Sequence, residues 1–233
     1  MATSGSKRAI ASTRGDAHFL ETLRRELYTA VLSDVLDELG APGQAMAPRI
    51  RPLDDDLVLV GFARTGQFRE VSAVASGENP YELEIAIIDD LKPGEVVAFG
   101  CDGSQRIAPW GELLTTAARQ RGAVGAVTDG FVRDVRAIRN MKFPVFHGGI
   151  APLDSKGRGK VVAIDVPIEC AGVHIETGDL IFGDVDGVVV IPREAEQEVV
   201  RRALEKVSGE NQSRDALRRG EKLADVFRRL GIL

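Results

Sequence analysis

The sequence predicts a single domain of the α/β class, and three observations predict it. Apolar residues recur at helical spacing near both ends of the chain. Short β-branched runs separated by Gly and Asp fill the middle, and a strand, loop, helix, strand unit occupies residues 95–128. At 233 residues the chain is long enough for one large core, and no shift in composition marks a second domain.

The first sixteen residues, MATSGSKRAIASTRGD, carry too little apolar surface for an amphipathic helix. They are expected to form a flexible tail before a domain over residues 17–233. From Phe19 onward Leu20, Leu23, Leu27, Val31, Val35 and Leu39 recur every three or four positions, which predicts one helix ended by Gly40. Residues 57–68 predict two strands broken by Gly61 and Gly66, and residues 81–91 a helix ended by Lys92-Pro93-Gly94. A buried strand is expected at 95–99 and a glycine-containing loop at 100–109. Residues 111–121 then predict a helix with Leu113, Leu114, Ala117 and Ala118 facing inward and Gly122 as its stop. A strand at 124–128 leads into a turn at Asp129-Gly130. Further strands are expected near Val145 and over 161–164, 180–182 and 188–191, and helices over 193–208 and 211–230.

Charge and cysteine content exclude several classes. A net charge of -5, with basic residues interleaved among acids, gives no electrostatic reason to expect nucleic acid as a partner. No apolar run reaches the length of a membrane span. Cys101 and Cys170 stand alone, without the spacing of a metal site or a disulfide framework, so a reducing cytoplasm is the expected compartment.

Chemistry concentrates in residues 110–134, WGELLTTAARQRGAVGAVTDGFVRD. Gly111 permits close approach of a ligand to the backbone, and the N–H groups of residues 111–114 at a helix start favour a carboxylate. Glu112 reads equally as a carboxylate stabilised by the helix dipole. Arg133 offers a planar guanidinium for a carboxylate or a developing enolate oxygen, and Asp134 a carboxylate for a hard cation such as Mg2+. Taken alone, an Arg-Asp pair is ordinarily a surface pair. Asp102 reads as a metal neighbour or as a turn cap beside Gly103, and Arg106 as a second anion contact. His147 is expected to hydrogen-bond within a loop, and Asp179, Asp184 and Asp186 to serve turns.

With Glu112 and its glycines, GDVDGVVVIP at 183–192, TAVLSDVLDELG at 29–40 and the RPL element at Arg51, the sequence resembles the class II 4-hydroxy-4-methyl-2-oxoglutarate aldolase/oxaloacetate decarboxylase family. That family also includes the regulator of ribonuclease E activity. The resemblance implies a swivelling-domain-type β/β/α sandwich assembled as a homotrimer or hexamer with active sites between protomers. It implies a lyase that cleaves a carbon–carbon bond of a small 4-hydroxy-2-oxo acid, or decarboxylates oxaloacetate, to give pyruvate through an enolate. Asp134 would ligate Mg2+ or Mn2+, Arg133 would contact the keto oxygen or carboxylate, and Glu112 would order water on the metal. The amides of Leu113 and Leu114, beside Gly111, would bind the pyruvate carboxylate, and Glu210 would reach in from a neighbouring protomer. Two departures are visible: Glu112 stands where the shorter aspartate is usual, and His147-Gly148-Gly149 lacks an arginine. The segment SGENPYELEIAIIDD at 76–90 points to a separate subgroup. The rival reading is a non-catalytic, protein-binding regulator of a ribonuclease on the same fold. A methyltransferase ranks last, because no G-x-G-x-G loop follows a first strand.

Overall fold

The computed structural model describes residues 17–231, so the tail expected at 1–16 lies outside the described residues. Two helices, α1 (Ala17–Glu26) and α2 (Thr29–Glu38), precede the short strand β1 (Arg51–Pro52) and the long strand β2 (Leu59–Glu70). Helices and strands then alternate through α3 (Glu82–Asp89), β3 (Glu95–Gly100), α4 (Glu112–Gln120), β4 (Gly125–Val132), α5 (Val135–Met141) and β5 (Val145–Ile150). The strands β6 (Gly159–Ile164), β7 (Ile168–Cys170), β8 (Val173–Ile175), β9 (Leu180–Asp184) and β10 (Gly187–Ile191) lead to helices α6 (Glu196–Arg218) and α7 (Leu223–Leu230).

Eight strands form one mixed sheet in the order β1-β5-β4-β3-β2-β9-β10, with β6 also on β2, while β7 and β8 pair separately. The run from β2 to β5 is parallel, as alternation with helices requires. β2 pairs along one side with β9 at Leu59–Phe62 and with β6 at Gly66–Glu70. Arg51 Nη1 donates to the carbonyl of Asp186 at 2.7 Å, joining the two ends of the strand order and leaving the sheet nearly closed.

The period-2 alternation of the strands sorts side chains into layers. Val96 and Ala98 of β3 join Leu59, Val127, Phe146, Ile181, Val188 and Val190 inside the curled sheet. Val97 and Phe99 point the other way, against Ile87, Ala118 and Ile138 of helices α3 to α5. Leu180, Phe182, Val189 and Ile191 likewise face helices α1, α2 and α6. The result is a mixed α/β single domain.

Several elements differ from expectation. The helix foreseen through residues 19–39 breaks at Leu27-Tyr28, where Asp184 accepts from the N–H of Thr29 at 2.8 Å and from its hydroxyl at 2.6 Å. This capping acid comes from β9, so no local pattern announces it. β2 runs unbroken through Gly61 and Gly66. A Cβ at Gly61 would lie 2.5 Å from the Gly94 carbonyl, and one at Gly66 2.7 Å from the Phe99 ring, so these glycines serve close packing rather than a turn. Asp129-Gly130 is not a turn either but part of β4, at an irregularity in its pairing with β5. The C-terminal helix passes through Gly209 and breaks at Gly220, whose φ is +87°. The β7/β8 hairpin, turning at Ala171-Gly172 with both φ positive, was not foreseen. Among the described residues no helix is long and apolar enough to cross a membrane.

Candidate active site

Helix α4 owes its position to Trp110, which is buried, stacks on Phe143 at a centroid distance of 6.4 Å and donates Nε1–H to Thr115 Oγ1 at 2.8 Å. Thr115 Oγ1 in turn donates to the Gly111 carbonyl at 2.9 Å, tying the first turn of the helix to the core. The same stretch holds the end of β4, since the carbonyl of Trp110 accepts from the N–H of Arg133 at 3.0 Å. Arg133 and Asp134 are thus fixed beside the start of α4 by backbone pairing. Asp134 adopts φ 58° and ψ 30°, a left-handed conformation that Asp tolerates and most side chains avoid.

The approach is close. Asp134 Oδ2 accepts from the N–H of Glu112 at 3.1 Å, and a Cβ on Gly111 would stand 2.8 Å from that oxygen and 3.2 Å from Arg133 Cγ. Gly111 is therefore needed for space rather than for φ. The first backbone bond of α4 runs from the N–H of Thr115 to the Gly111 carbonyl, leaving the amides of Leu113 and Leu114 without helical acceptors. Leu113 is 81% exposed rather than inward, and Thr115 and Ala118 supply the buried face in its place. Its expected role rests on its amide, which exposure leaves accessible.

Arg133 is held loosely between acids. Its Nε lies 3.9 Å from Asp134 Oδ2, its Nη2 3.7 Å from Asp154 Oδ1, and its Nη1 donates to the Leu153 carbonyl at 3.4 Å. Arg133 and Asp134 side chains are 39% and 46% exposed, so within one chain the site is an open corner. Cavities of roughly 650 and 690 Å3 lie elsewhere, one beside Leu20 and Pro93 and the other beside Asp54 and Arg139.

Three residues at this corner escaped sequence reasoning. Tyr81 donates its hydroxyl to Asp154 Oδ2 at 2.9 Å. Burial, then that bond, pushes the phenol up to about 12. Glu84 is only 7% exposed, and its Oε2 is buried without a hydrogen-bond partner. Burial pushes its carboxyl up to about 7, with Asp154 adding and Arg133 opposing. Asp154 is pushed up by burial, but Tyr81, the N–H of Lys156 and Arg133 together hold it below the usual carboxylate range. A signal for Glu84 existed: buried Ile87, Ile88 and Leu91 form a helical stripe whose next turn back is position 84.

The remaining expected residues lie apart from this corner. Asp102 forms an ion pair with Arg69, and Arg106 pairs with Glu70 at 3.0 Å. Asp102 and Arg106 are thereby engaged with β2 rather than with Arg133. Glu210 accepts from the Tyr28 hydroxyl and lies 3.9 Å from Arg214, on the face between α2 and α6. His147 sits buried in β5, not in a loop, with Nδ1 unpartnered, and burial pushes its pKa down to about 4. Asp179 accepts from the N–H of Glu176 and Asp184 from that of Asp186, the turn duties expected of them; Asp179 also accepts from the N–H of Arg193 and Asp184 from that of Thr29, longer-range bonds that were not expected. Among the described residues no three His, Cys, Asp or Glu side chains converge as a metal cage. Asp134 offers one hard carboxylate at an open corner, beside the backbone of Glu112, a single oxygen donor of the kind that would hold Mg2+ with water and a ligand completing its shell.

A curled mixed sheet with these helical layers is the architecture of RraA-like proteins. The model of the RraA-like family, described as Aldolase/RraA, matches residues 29–190, and the chain belongs to that family. A Halalkalibacterium halodurans protein provisionally named 4-hydroxy-4-methyl-2-oxoglutarate aldolase is 38% identical over 182 residues, 78% of this chain and 80% of that one. A Thermus thermophilus protein named 4-hydroxy-4-methyl-2-oxoglutarate aldolase is 29% identical over 167 residues, 72% of this chain and 93% of its own. Among solved structures, Streptomyces coelicolor RraAS2, titled an unusual member of the RNase ES inhibitor RraA protein family, superposes with a TM-score of 0.75. It is 29% identical, over 87% of this chain and 98% of that one.

Proposed function

We propose that the chain is a lyase that cleaves a carbon–carbon bond in a small 2-oxo acid, with a divalent cation, Mg2+ or Mn2+, at Asp134. The carrying observation is the meeting of Arg133, Asp134 and the α4 amides across Gly111, with Asp134 Oδ2 3.1 Å from the Glu112 nitrogen. The names of the aldolase relatives support the reaction class. The substrate's carboxylate would dock on the N–H groups of Leu113 and Leu114, and its 2-keto oxygen on the Arg133 guanidinium. In a retro-aldol reaction the C4 hydroxyl loses its proton, the C3–C4 bond breaks, and the electron pair moves into the 2-keto group. That step releases a carbonyl product and the enolate of pyruvate, which takes a proton at C3. With oxaloacetate the same bond breaks to release carbon dioxide without a base. Arg133 stabilises the oxygen on which negative charge accumulates in both cases. A cation held by Asp134, with Glu112 ordering water beside it, would supply Lewis-acid polarisation of that same oxygen.

The half-exposed corner and the exposed Leu113 favour completion of the site by another copy in a homotrimer or hexamer, with Glu210 as the contributed acid. Two free, buried cysteines suit a cytoplasmic setting. The likeness to RraAS2 favours a second reading, a regulator that binds a ribonuclease without turnover. A coupled pyruvate assay over 4-hydroxy-2-oxo acids and oxaloacetate separates the two. Release that requires Mg2+ or Mn2+ and stops in EDTA is expected; release that persists in EDTA refutes the metal role, and a silent panel with ribonuclease capture favours the regulator.

A further inference from the structure

Arg133 is flanked by two acids and closed on neither. Arg106 meets Glu70 at 3.0 Å and Arg121 meets Asp89 at 3.2 Å, whereas Arg133 stands 3.7 Å from Asp154 and 3.9 Å from Asp134, beyond hydrogen-bond range. We propose that Tyr81 is a positioning residue: by holding the Asp154 carboxylate it stops that acid from capturing the Arg133 guanidinium, and so keeps the arginine open to the substrate. The proposal rests on the reading of Arg133 as the group that receives the 2-keto oxygen.

The partners of the Asp154 carboxylate carry the argument. Its Oδ2 accepts from the Tyr81 hydroxyl at 2.9 Å, and its Oδ1, the oxygen 3.7 Å from Arg133 Nη2, accepts from the N–H of Lys156 at 3.4 Å. Asp154 lies on the loop between β5 and β6, outside any strand ladder. Tyr81 is the better anchored of the two. It stands at the start of α3, where its carbonyl accepts from the N–H of Ile85 at 2.8 Å and its own N–H donates to Asn79 Oδ1 at 3.1 Å. Buried Ile87 and Ile88 seat that helix on the core. A helix fixed by packing thus restrains an acid on a loop. Burial keeps the phenol protonated, so the restraint is a neutral donor that leaves Asp154 its charge.

Without the hydroxyl, Asp154 has one strong place to go. Arg158 Nη1 donates to the Asp154 carbonyl, not to its carboxylate. Lys156 and Arg136 are exposed, and a pair made in open solvent contributes little. Arg133 is half-buried, already adjacent, and presents a planar fork that suits a carboxylate. Asp134, on the other flank, is restrained in a parallel way, since its Oδ2 accepts from the N–H of Glu112, and a cation held there would draw it further from Arg133. Closure of Asp154 on Arg133 must be undone before the keto oxygen can bind. That penalty falls on the free protein and so weakens binding rather than the chemical step.

The test is calorimetric binding of oxalate, a planar mimic of the pyruvate enolate, with Mg2+ present. Tyr81→Phe should weaken binding about fivefold, the scale of one partly exposed ion pair. Adding Asp154→Asn to Tyr81→Phe removes the competing charge and should return affinity to within about twofold of wild type. A merely structural Tyr81 would not be repaired by a second substitution beside it. In turnover, Tyr81→Phe should raise KM about fivefold and leave kcat within about twofold. Unchanged oxalate affinity in Tyr81→Phe, a double variant no better than the single one, a loss confined to kcat, or no oxalate binding by the wild type overturns the proposal. Should Tyr81→Phe fail to fold, Asp154→Glu decides, because its longer arm reaches the guanidinium past the hydroxyl; it should weaken oxalate about fivefold as well, and an unchanged affinity overturns the proposal. If the oxalate pattern holds but no 2-oxo acid yields pyruvate, the positioning role stands and the lyase reading falls. If pyruvate is released and Tyr81→Phe behaves as wild type, the lyase reading stands and the positioning role falls.

Discussion

The loop after β3 and the corner after β4 leave neighbouring parallel strands, and they handle charge in opposite ways. After β3, buried Asp129 accepts from the N–H groups of Cys101 at 2.6 Å and Gly103 at 2.8 Å. Asp102 pairs with Arg69, and Glu70 takes both the Ser104 hydroxyl at 2.5 Å and Arg106 at 3.0 Å. After β4, Arg133 has contacts of 3.4 to 3.9 Å, spread over three partners. Close pairing fixes a backbone and saturates its charges. A loosely shared guanidinium beside free amides can turn to a ligand at small cost, which is why the second region, and not the first, reads as the site.

The contrast makes graded predictions. Asp129→Ala leaves the buried N–H of Cys101 and the half-buried N–H of Gly103 without an acceptor, and urea unfolding should show a loss of about 2–4 kcal/mol; a loss below about 1 kcal/mol would mean that Asp129 does not hold the loop. Glu84 should act through pH. Its folded-state carboxyl, near 7 against an ordinary 4.5, binds a proton that the unfolded chain has already released, so stability falls as pH rises from about 4.5 to 7. Measured against Glu84→Gln, the wild type should lose about 3 kcal/mol between pH 4.5 and pH 8. The comparison cancels the opposite contribution of His147, whose depressed pKa costs stability as pH falls below 6.5. Parallel pH curves for the two proteins would count against a buried Glu84. Smallest is Asp102→Asn, which breaks an exposed pair with Arg69 and should cost less than about 1 kcal/mol in the same unfolding measurement.

Much of this was legible in the sequence wherever the determinant is local. Gly111 lies in one strand, helix, strand unit and Arg133 and Asp134 just after it; periodicity finds α4 and the start of β4, though it ends that strand four residues early. What escaped is set by distant partners. The break at Leu27-Tyr28 depends on Asp184, 155 residues beyond Thr29, while the apolar stripe continues through it. Asp154 carries no local signature, because its meaning comes from Tyr81, 73 residues earlier. Asp129-Gly130 has the composition of a turn, yet Gly130 sits in β4 where a Cβ would lie 3.0 Å from Cys101 Sγ. Asp102 and Arg106 were as plausible as Arg133 and Asp134 by residue type, and only the closeness of their pairing separates them.

Pyruvate release measured side by side for Arg133→Ala and Arg106→Ala, with Mg2+ and a substrate the wild type turns over, puts the two regions in one experiment. Arg133→Ala should fall by about two to three orders of magnitude while Arg106→Ala stays within about threefold of wild type. A near-normal rate in Arg133→Ala, or a collapse confined to Arg106→Ala, would place the chemistry in the wrong loop and contradict the account.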